Sequence, residues 1–187
     1  DAGSSWTHFE FPPRNIHSFI LDRSYPDTRM FASGVLNGWG RVFRTDDGGE
    51  NWKTVYTEPG QKTTVTSLSQ HPVNTDVIFS GTSAGTIIKS IDGGDTWKNI
   101  GNVIDGRITN IIFDAVREGT MYLLAGNKVY YSASTGTNWL EWEKEKTEEV
   151  RALNERASDL SRQGFKVEAD ALRQSARDLS ERNRSDK

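Results

Sequence analysis

The chain has 187 residues, a net charge of −3 and a pI near 5.7, so it lacks the basic footprint expected of a nucleic-acid binder. It contains no cysteine, which removes disulfides, thiolate catalysis and cysteine metal sites, and no run of the ~18 apolar residues that would span a bilayer. Hydrophobic residues make up 34%, yet there are 6 Trp, 8 Phe, 5 Tyr and 17 Gly, a balance that suits many short strands pinned by aromatic anchors better than a disordered chain.

In chain order, the sequence opens on Asp1-Ala2-Gly3-Ser4-Ser5-Trp6, and residues 6–11 read as one strand. A strand over 16–22, a turn at 24–27, a strand over 30–34 and a third strand at 42–44 follow. The segment Thr45-Asp46-Asp47-Gly48-Gly49-Glu50-Asn51-Trp52 then makes a turn, and a fourth strand begins at the Trp. The same order returns with strands at 65–69, 77–81 and 86–89, the turn Ser90-Ile91-Asp92-Gly93-Gly94-Asp95-Thr96-Trp97, and a strand from Trp97. It returns once more with strands at 108–114, 121–126 and 128–131, and a turn from Ser132 through Gly136 to Trp139. The tryptophans at 6, 52, 97 and 139 mark a repeat of roughly 45 residues with four short strands each, the spacing of propeller blades.

The turn has a physical reading. Asp47 and Asp92 can accept from the backbone amides that follow them, Gly49 and Gly94 supply positive φ, and Trp52 and Trp97 bury their rings beside the turn. In the last copy Ser134 replaces the aspartate, which predicts a turn capped differently. These residues resemble the Asp-box (bacterial neuraminidase) repeat over about residues 1–140. The blade pattern is similar to photosystem II assembly-factor and sortilin-type propellers, with xyloglucanase-like glycoside hydrolases close behind. The resemblance implies a mainly β fold, a partial propeller of three blades over 14–57, 63–101 and 107–142, with the orphan outer strand before them. Three blades cannot close a ring, so the expected partners are further blades, from upstream polypeptide or from other copies. The resemblance also implies an extracytoplasmic, periplasmic or secreted, location.

From Glu141 the composition turns to Glu, Lys, Arg, Ala, Leu and Ser. Val150, Leu153, Ala157 and Leu160, then Ala169, Leu172, Ala176 and Leu179, recur at helical spacing around Gly164. Two antiparallel helices over about 146–162 and 166–182 follow, giving a propeller part over 1–142 and a helical hairpin over 143–187. The hairpin is either a solvated end or a docking element for another protein.

No catalytic, cofactor or metal constellation emerges. His8, His17 and His71 are scattered, and the Asp-Gly-rich turns lack the alternating ligand spacing of a calcium loop. Asp22 and Asp114 occupy matching positions in different repeats, which argues for a repeated structural role rather than a glycosidase pair. Arg14, Arg41, Arg44 and Arg107 form no sialidase-like set. Trp39, in the loop Leu36-Asn37-Gly38-Trp39-Gly40, is the candidate partner contact. The sequence therefore reads as a non-enzymatic binding or scaffolding propeller. The alternatives are the C-terminal part of a secreted glycoside hydrolase, or a structural subunit of an extracellular assembly.

Overall fold

The structure is a computed structural model that describes residues 4–5, 11, 15–102 and 104–185. Strands β1 (Asn15–Leu21), β2 (Met30–Leu36), β3 (Trp39–Thr45) and β4 (Lys53–Thr57) form the first antiparallel sheet in the order β1-β2-β3-β4. Strands β5 (Val65–Gln70), β6 (Ile78–Thr82), β7 (Thr86–Ser90) and β8 (Lys98–Asn102) repeat it. Strands β9 (Ile108–Phe113), β10 (Met121–Ala125), β11 (Lys128–Ser132) and β12 (Leu140–Glu141) form the third sheet. The fold is a partial β-propeller of three four-stranded blades with two helices at its C-terminal end. The orphan strand over 6–11, with Asp1, Gly3 and Trp6, lies outside the described residues apart from Phe11. The fourth strands start one residue after each tryptophan, and β12 stops after two residues because a helix begins at Trp142.

Blades stack through their faces. Phe31 and Val42 of the first blade interleave with Val65, Leu68, Ile78 and Ile88 of the second. Phe79 and Ile87 on the opposite face of the second blade meet Ile108, Ile111, Met121 and Leu123 of the third. The second blade is thus covered on both sides, and β6 is buried at every position. Each fully buried side chain of this size contributes about 1.5–3 kcal/mol of burial, so these two layers hold the arc together. The inner strands lie side by side, β1 against β5 and β5 against β9.

The chain divides into two compact units, Asp1–Trp139 and Leu140–Lys187. The second contains α1 (Trp142–Arg162) and α2 (Lys166–Ser185); α1 starts earlier than its apolar stripe predicts, through the Glu- and Lys-rich segment before it, and α2 runs on to Ser185. Gly164 at φ 91° ends α1: its amide donates to Ser161 O and the Phe165 amide to Leu160 O, the two bonds of a Schellman stop. Ala157, Ala169 and Ala176 are buried, so the helices approach through their small side chains, while Leu153, Leu160, Leu172 and Leu179 are half-buried beside them.

Candidate functional site

Each blade is an antiparallel meander, so its β1–β2-type turn and its tryptophan turn share one end. The two are tied together in all three blades: the amides of Gly48, Gly93 and Thr135 donate to the carbonyls of Thr28, Asp76 and Gly119. In the first tryptophan turn Asp47 Oδ1 accepts from the Asn51 amide at 2.9 Å and Oδ2 from Asn51 Nδ2 at 2.8 Å, while Thr45 Oγ1 accepts the Gly49 amide at 3.0 Å. Those Asn51 bonds, with one that the Thr45 hydroxyl donates to Asp47 Oδ1, hold the Asp47 carboxyl down to about 2. The second turn repeats the scheme: Asp92 Oδ1 accepts from the Thr96 amide and Ser90 Oγ from the Gly94 amide. Burial works against the Asp92 charge, but the Thr96 and Ser90 bonds outweigh it and lower its pKa. In the third turn Ser134 Oγ takes over, accepting the Asn138 amide at 3.1 Å, and Ser132 Oγ accepts the Gly136 amide. Ser134 has one oxygen where aspartate has two, so the cap keeps its backbone bond and loses its side-chain one.

The three tryptophans are half-buried rather than fully buried. Trp97 packs into the layer between the first two blades, near Tyr56, and donates from Nε1 to Gly94 O at 3.2 Å. Trp139 packs into the next layer. Trp52 meets the ring of Phe11 edge-on, with centroids 4.5 Å apart. Nε1 of Trp52 and of Trp139 finds no acceptor among the described residues.

The matched acids cap turns. Asp22 Oδ1 accepts the Ser24 amide, and Asp114 Oδ1 accepts the amides of Val116 and Arg117. The Arg117 and Val116 amides are the main reason the Asp114 carboxyl sits at about 2. In the second blade His71 does the same work, its Nδ1 accepting from Val73 and Asn74. Pairing Leu21 with Met30, Gln70 with Ile78 and Phe113 with Met121 shows that the three caps are equivalent.

At this same end runs a charge network that the sequence did not announce. Arg44, almost fully buried, donates from Nη1 to Gly93 O at 3.1 Å and to Asp95 Oδ1 at 2.6 Å, and from Nε to Asp46 Oδ2 at 3.1 Å. Arg29 and Lys53 also reach Asp46. Burial opposes the Asp46 charge, and the bonds from Lys53 and Arg29 bring its carboxyl to about 2 nonetheless. Arg44 and Asp95 are 51 residues apart, on different blades, so no local pattern reveals the link.

The opposite end of the blades gathers the start of β1, the β2–β3 hairpin and the end of β4. Here the structure corrects the placement of Trp39, which is the first residue of β3 rather than part of a loop. Asn37 at φ 54° and Gly38 at φ 80° form a two-residue turn, and Leu36 pairs with Trp39. In the third blade the corresponding hairpin closes earlier, at Ala125–Lys128, the pair aligned with Gly34 and Arg41, so the first blade's hairpin is two pairs longer. That extension carries the half-buried Trp39 outward. The same end holds His17 at the start of β1 and the exposed Arg107 ahead of β9. Partial desolvation, and then the charge of Arg107, lower the His17 pKa. Glu58 is buried and accepts the Tyr56 hydroxyl at 3.0 Å. The structure brings His17 and Arg107 into electrostatic range, but no described contact ties them to Trp39.

Among the described residues no three His, Asp or Glu side chains converge as metal ligands, and no helix is long and apolar enough to cross a membrane. The inner strands read NIHSFIL, VTSLSQ and ITNIIF, without one carboxylate among them.

No family profile matches the chain. It is 34% identical over 79 residues to "Probable oligoxyloglucan-reducing end-specific xyloglucanase" of Neosartorya fischeri, covering 38% of this chain and 10% of that protein. It is 26% identical over 150 residues to "Oligoxyloglucan-reducing end-specific xyloglucanase" of Emericella nidulans, covering 68% of this chain and 18% of that protein. Thus the chain spans less than a fifth of either curated relative. Among solved structures, the GH74 enzyme of Niastella koreensis aligns over 70% of this chain and 23% of its own, at 20% identity and TM-score 0.60. YCF48 bound to D1 peptide aligns over 68% of this chain and 40% of its own, at 18% identity and TM-score 0.54. Both likenesses are of fold: the chain is a propeller module similar to parts of these proteins.

Proposed function

We propose that this chain is a non-enzymatic Asp-box propeller module that binds a polypeptide partner at the end of its blades carrying the β2–β3 hairpins. The observation that carries the reading is chemical. Glycoside hydrolysis needs two free carboxylates flanking the sugar bond. The three inner strands carry none, and the two acids nearest to them, Asp22 and Asp114, are occupied as turn caps. What the opposite end offers instead is a half-buried Trp39 on an extended hairpin, together with His17 and the exposed Arg107, groups suited to side-chain and carbonyl contacts of a peptide. The peptide-bound YCF48 shows that a propeller of similar fold takes such a ligand. An extracytoplasmic location and a docking role for residues 146–182 belong to the same proposal, on the Asp-box resemblance and the unlike composition of the second unit.

A second reading is favoured by the two curated relatives: the chain supplies blades of a xyloglucanase whose carboxylates lie on other blades. Selection of peptides from a random display library on the immobilised chain, with xyloglucan oligosaccharides as the carbohydrate probe, separates the two. The binding reading expects enriched peptides that bind Trp39→Ala about tenfold more weakly and no release of sugar. Oligosaccharide hydrolysis by the chain would sink it, and peptides indifferent to Trp39→Ala would move the site elsewhere.

A further inference from the structure

Two hairpins at the same end of the blades turn on the same two residue types in opposite order. In the first blade Asn37 and Gly38, at φ 54° and 80°, join β2 to β3; in the third, Gly126, at φ 60°, and Asn127 join β10 to β11. Both tips are exposed. Asn37 is the only asparagine of the sequence that is followed by glycine, whereas Asn127 is followed by Lys128.

That order decides a piece of chemistry, because an asparagine side chain can reach the backbone nitrogen of the residue after it. Neither the Asn37 side chain nor the Gly38 amide has a hydrogen-bond partner among the described residues. A methyl placed on Gly38 would meet nothing within 4 Å, so the space around this turn is open. The stretch of chain that crosses this end of the first blade is in place: the Gly40 amide donates to Thr63 O at 3.1 Å and the Lys62 amide to Gly38 O at 3.4 Å. Asn37 and Gly38 stay exposed beside it. In the third blade the residue after the asparagine, Lys128, carries a Cβ and belongs to the closing pair with Ala125.

We propose that Asn37 is a self-modifying site. The Gly38 amide gives its proton to hydroxide, its nitrogen bonds to the side-chain carbonyl carbon of Asn37, and the side-chain amide leaves as ammonia with a proton from water. One water molecule then opens the cyclic imide at either carbonyl. Opening leaves an aspartate, or an isoaspartate whose main chain runs through the former side-chain carboxyl. Water is the only co-reactant. Closing the imide requires the turn to open, and only the Leu36–Trp39 pair at the tip has to part, at the low end of local stability. Both products alter the setting of Trp39, two residues on. Aspartate adds a negative charge, and isoaspartate lengthens a turn whose length sets the strand register. Peptide binding at this end therefore declines as the chain ages. That consequence rests on the peptide-binding reading; the covalent change does not.

Mass spectrometry of the full chain, aged while folded in neutral and in mildly alkaline buffer and then digested with trypsin, tests the proposal. Trypsin places Asn37 in the peptide 30–41 and Asn127 in the peptide 118–128, so one digest reads both the site and its control. Peptide 30–41 should gain about 1 Da and split into two chromatographic products, faster in the alkaline buffer and about tenfold or more faster than peptide 118–128. An unchanged peptide 30–41, or equal conversion of the two, overturns the proposal. For the ligand, peptides selected on the fresh chain that are sensitive to Trp39→Ala should bind the aged chain and Asn37→Asp about tenfold more weakly. Unchanged binding overturns the link to Trp39. If no selected peptide depends on Trp39, the peptide-binding reading fails, while the mass gain still upholds the chemistry at Asn37.

Discussion

A methyl group added at Gly94 would lie 2.4 Å from Cε1 of Phe31, closer than carbon atoms can approach. Gly94 also holds φ at +82°, which side chains with a Cβ rarely adopt. Two demands thus meet in one residue, a turn within its own blade and a close approach to the blade before it. Gly94→Ala is expected to cost about 2–4 kcal/mol, the sum of left-handed strain and overpacking. Gly101, at φ +115° with nothing within 4 Å of an added methyl, is the control, and Gly101→Ala should cost about 1–2 kcal/mol from strain alone. Urea denaturation of the two variants checks the difference, and equal losses would deny the inter-blade contact any role.

Ser134→Asp should stabilise the third blade. An aspartate there adds the second acceptor that Asp47 and Asp92 use for the side chains of Asn51 and Thr96, with Asn138 already placed to donate. A gain of about 0.5–1.5 kcal/mol is expected from one added surface-side hydrogen bond, measured as a raised urea midpoint. A fall in the midpoint would mean the serine turn has a backbone the aspartate cannot share.

Arg44→Lys keeps the charge and loses the fork. An ammonium cannot reach Gly93 O, Asp95 Oδ1 and Asp46 Oδ2 together as the guanidinium does, so about 1–3 kcal/mol should be lost. Asp95→Ala should cost less, about 0–1 kcal/mol, because the Asp95 carboxylate is largely in water. If the two substitutions cost the same, the buried bond to Gly93 O is not what matters.

Acid should loosen the blades over a narrow window. Asp46, Asp47 and Asp114 are held at about 2 in the folded chain against an ordinary 3.8. Their depressed pKa values mean that the unfolded chain takes up protons first as pH falls. The stability they contribute is complete above about pH 5 and drains away as pH falls from there to about pH 2. Urea midpoints should hold level from neutral pH to about pH 5 and then decline, more gently in Asp47→Asn. A midpoint indifferent to pH across that window would contradict the caps.

The repeated turn was legible because its chemistry is local. Asp47, Asn51 and Thr45 find one another within seven residues of chain, so the sequence string and the hydrogen bonds report the same object. Asp22 and Asp114 were legible as repeated structural groups for the same reason. Their equivalent in the second blade was not, because there a histidine nitrogen replaces the carboxylate and no spacing rule links the two residue types. Trp39 was visible as an unusual residue, but its glycine neighbours suggested a loop. The two-residue Asn37-Gly38 turn leaves it inside a strand instead.

By itself, then, the sequence determined the period, the strand order within each blade, the turn chemistry and the helical stop at Gly164, all of them set by interactions a few residues apart. Tertiary structure alone decided which faces are covered. Whether Val42 or Val129 is buried depends on what stands opposite, and the same register position holds a valine in both. It also decided the bond from Arg44 to the next blade's turn and the seating of Gly94 on Phe31, because both join strands from different repeats. Burial is a property of the neighbour as much as of the residue, and no periodicity within one blade records the presence of the next.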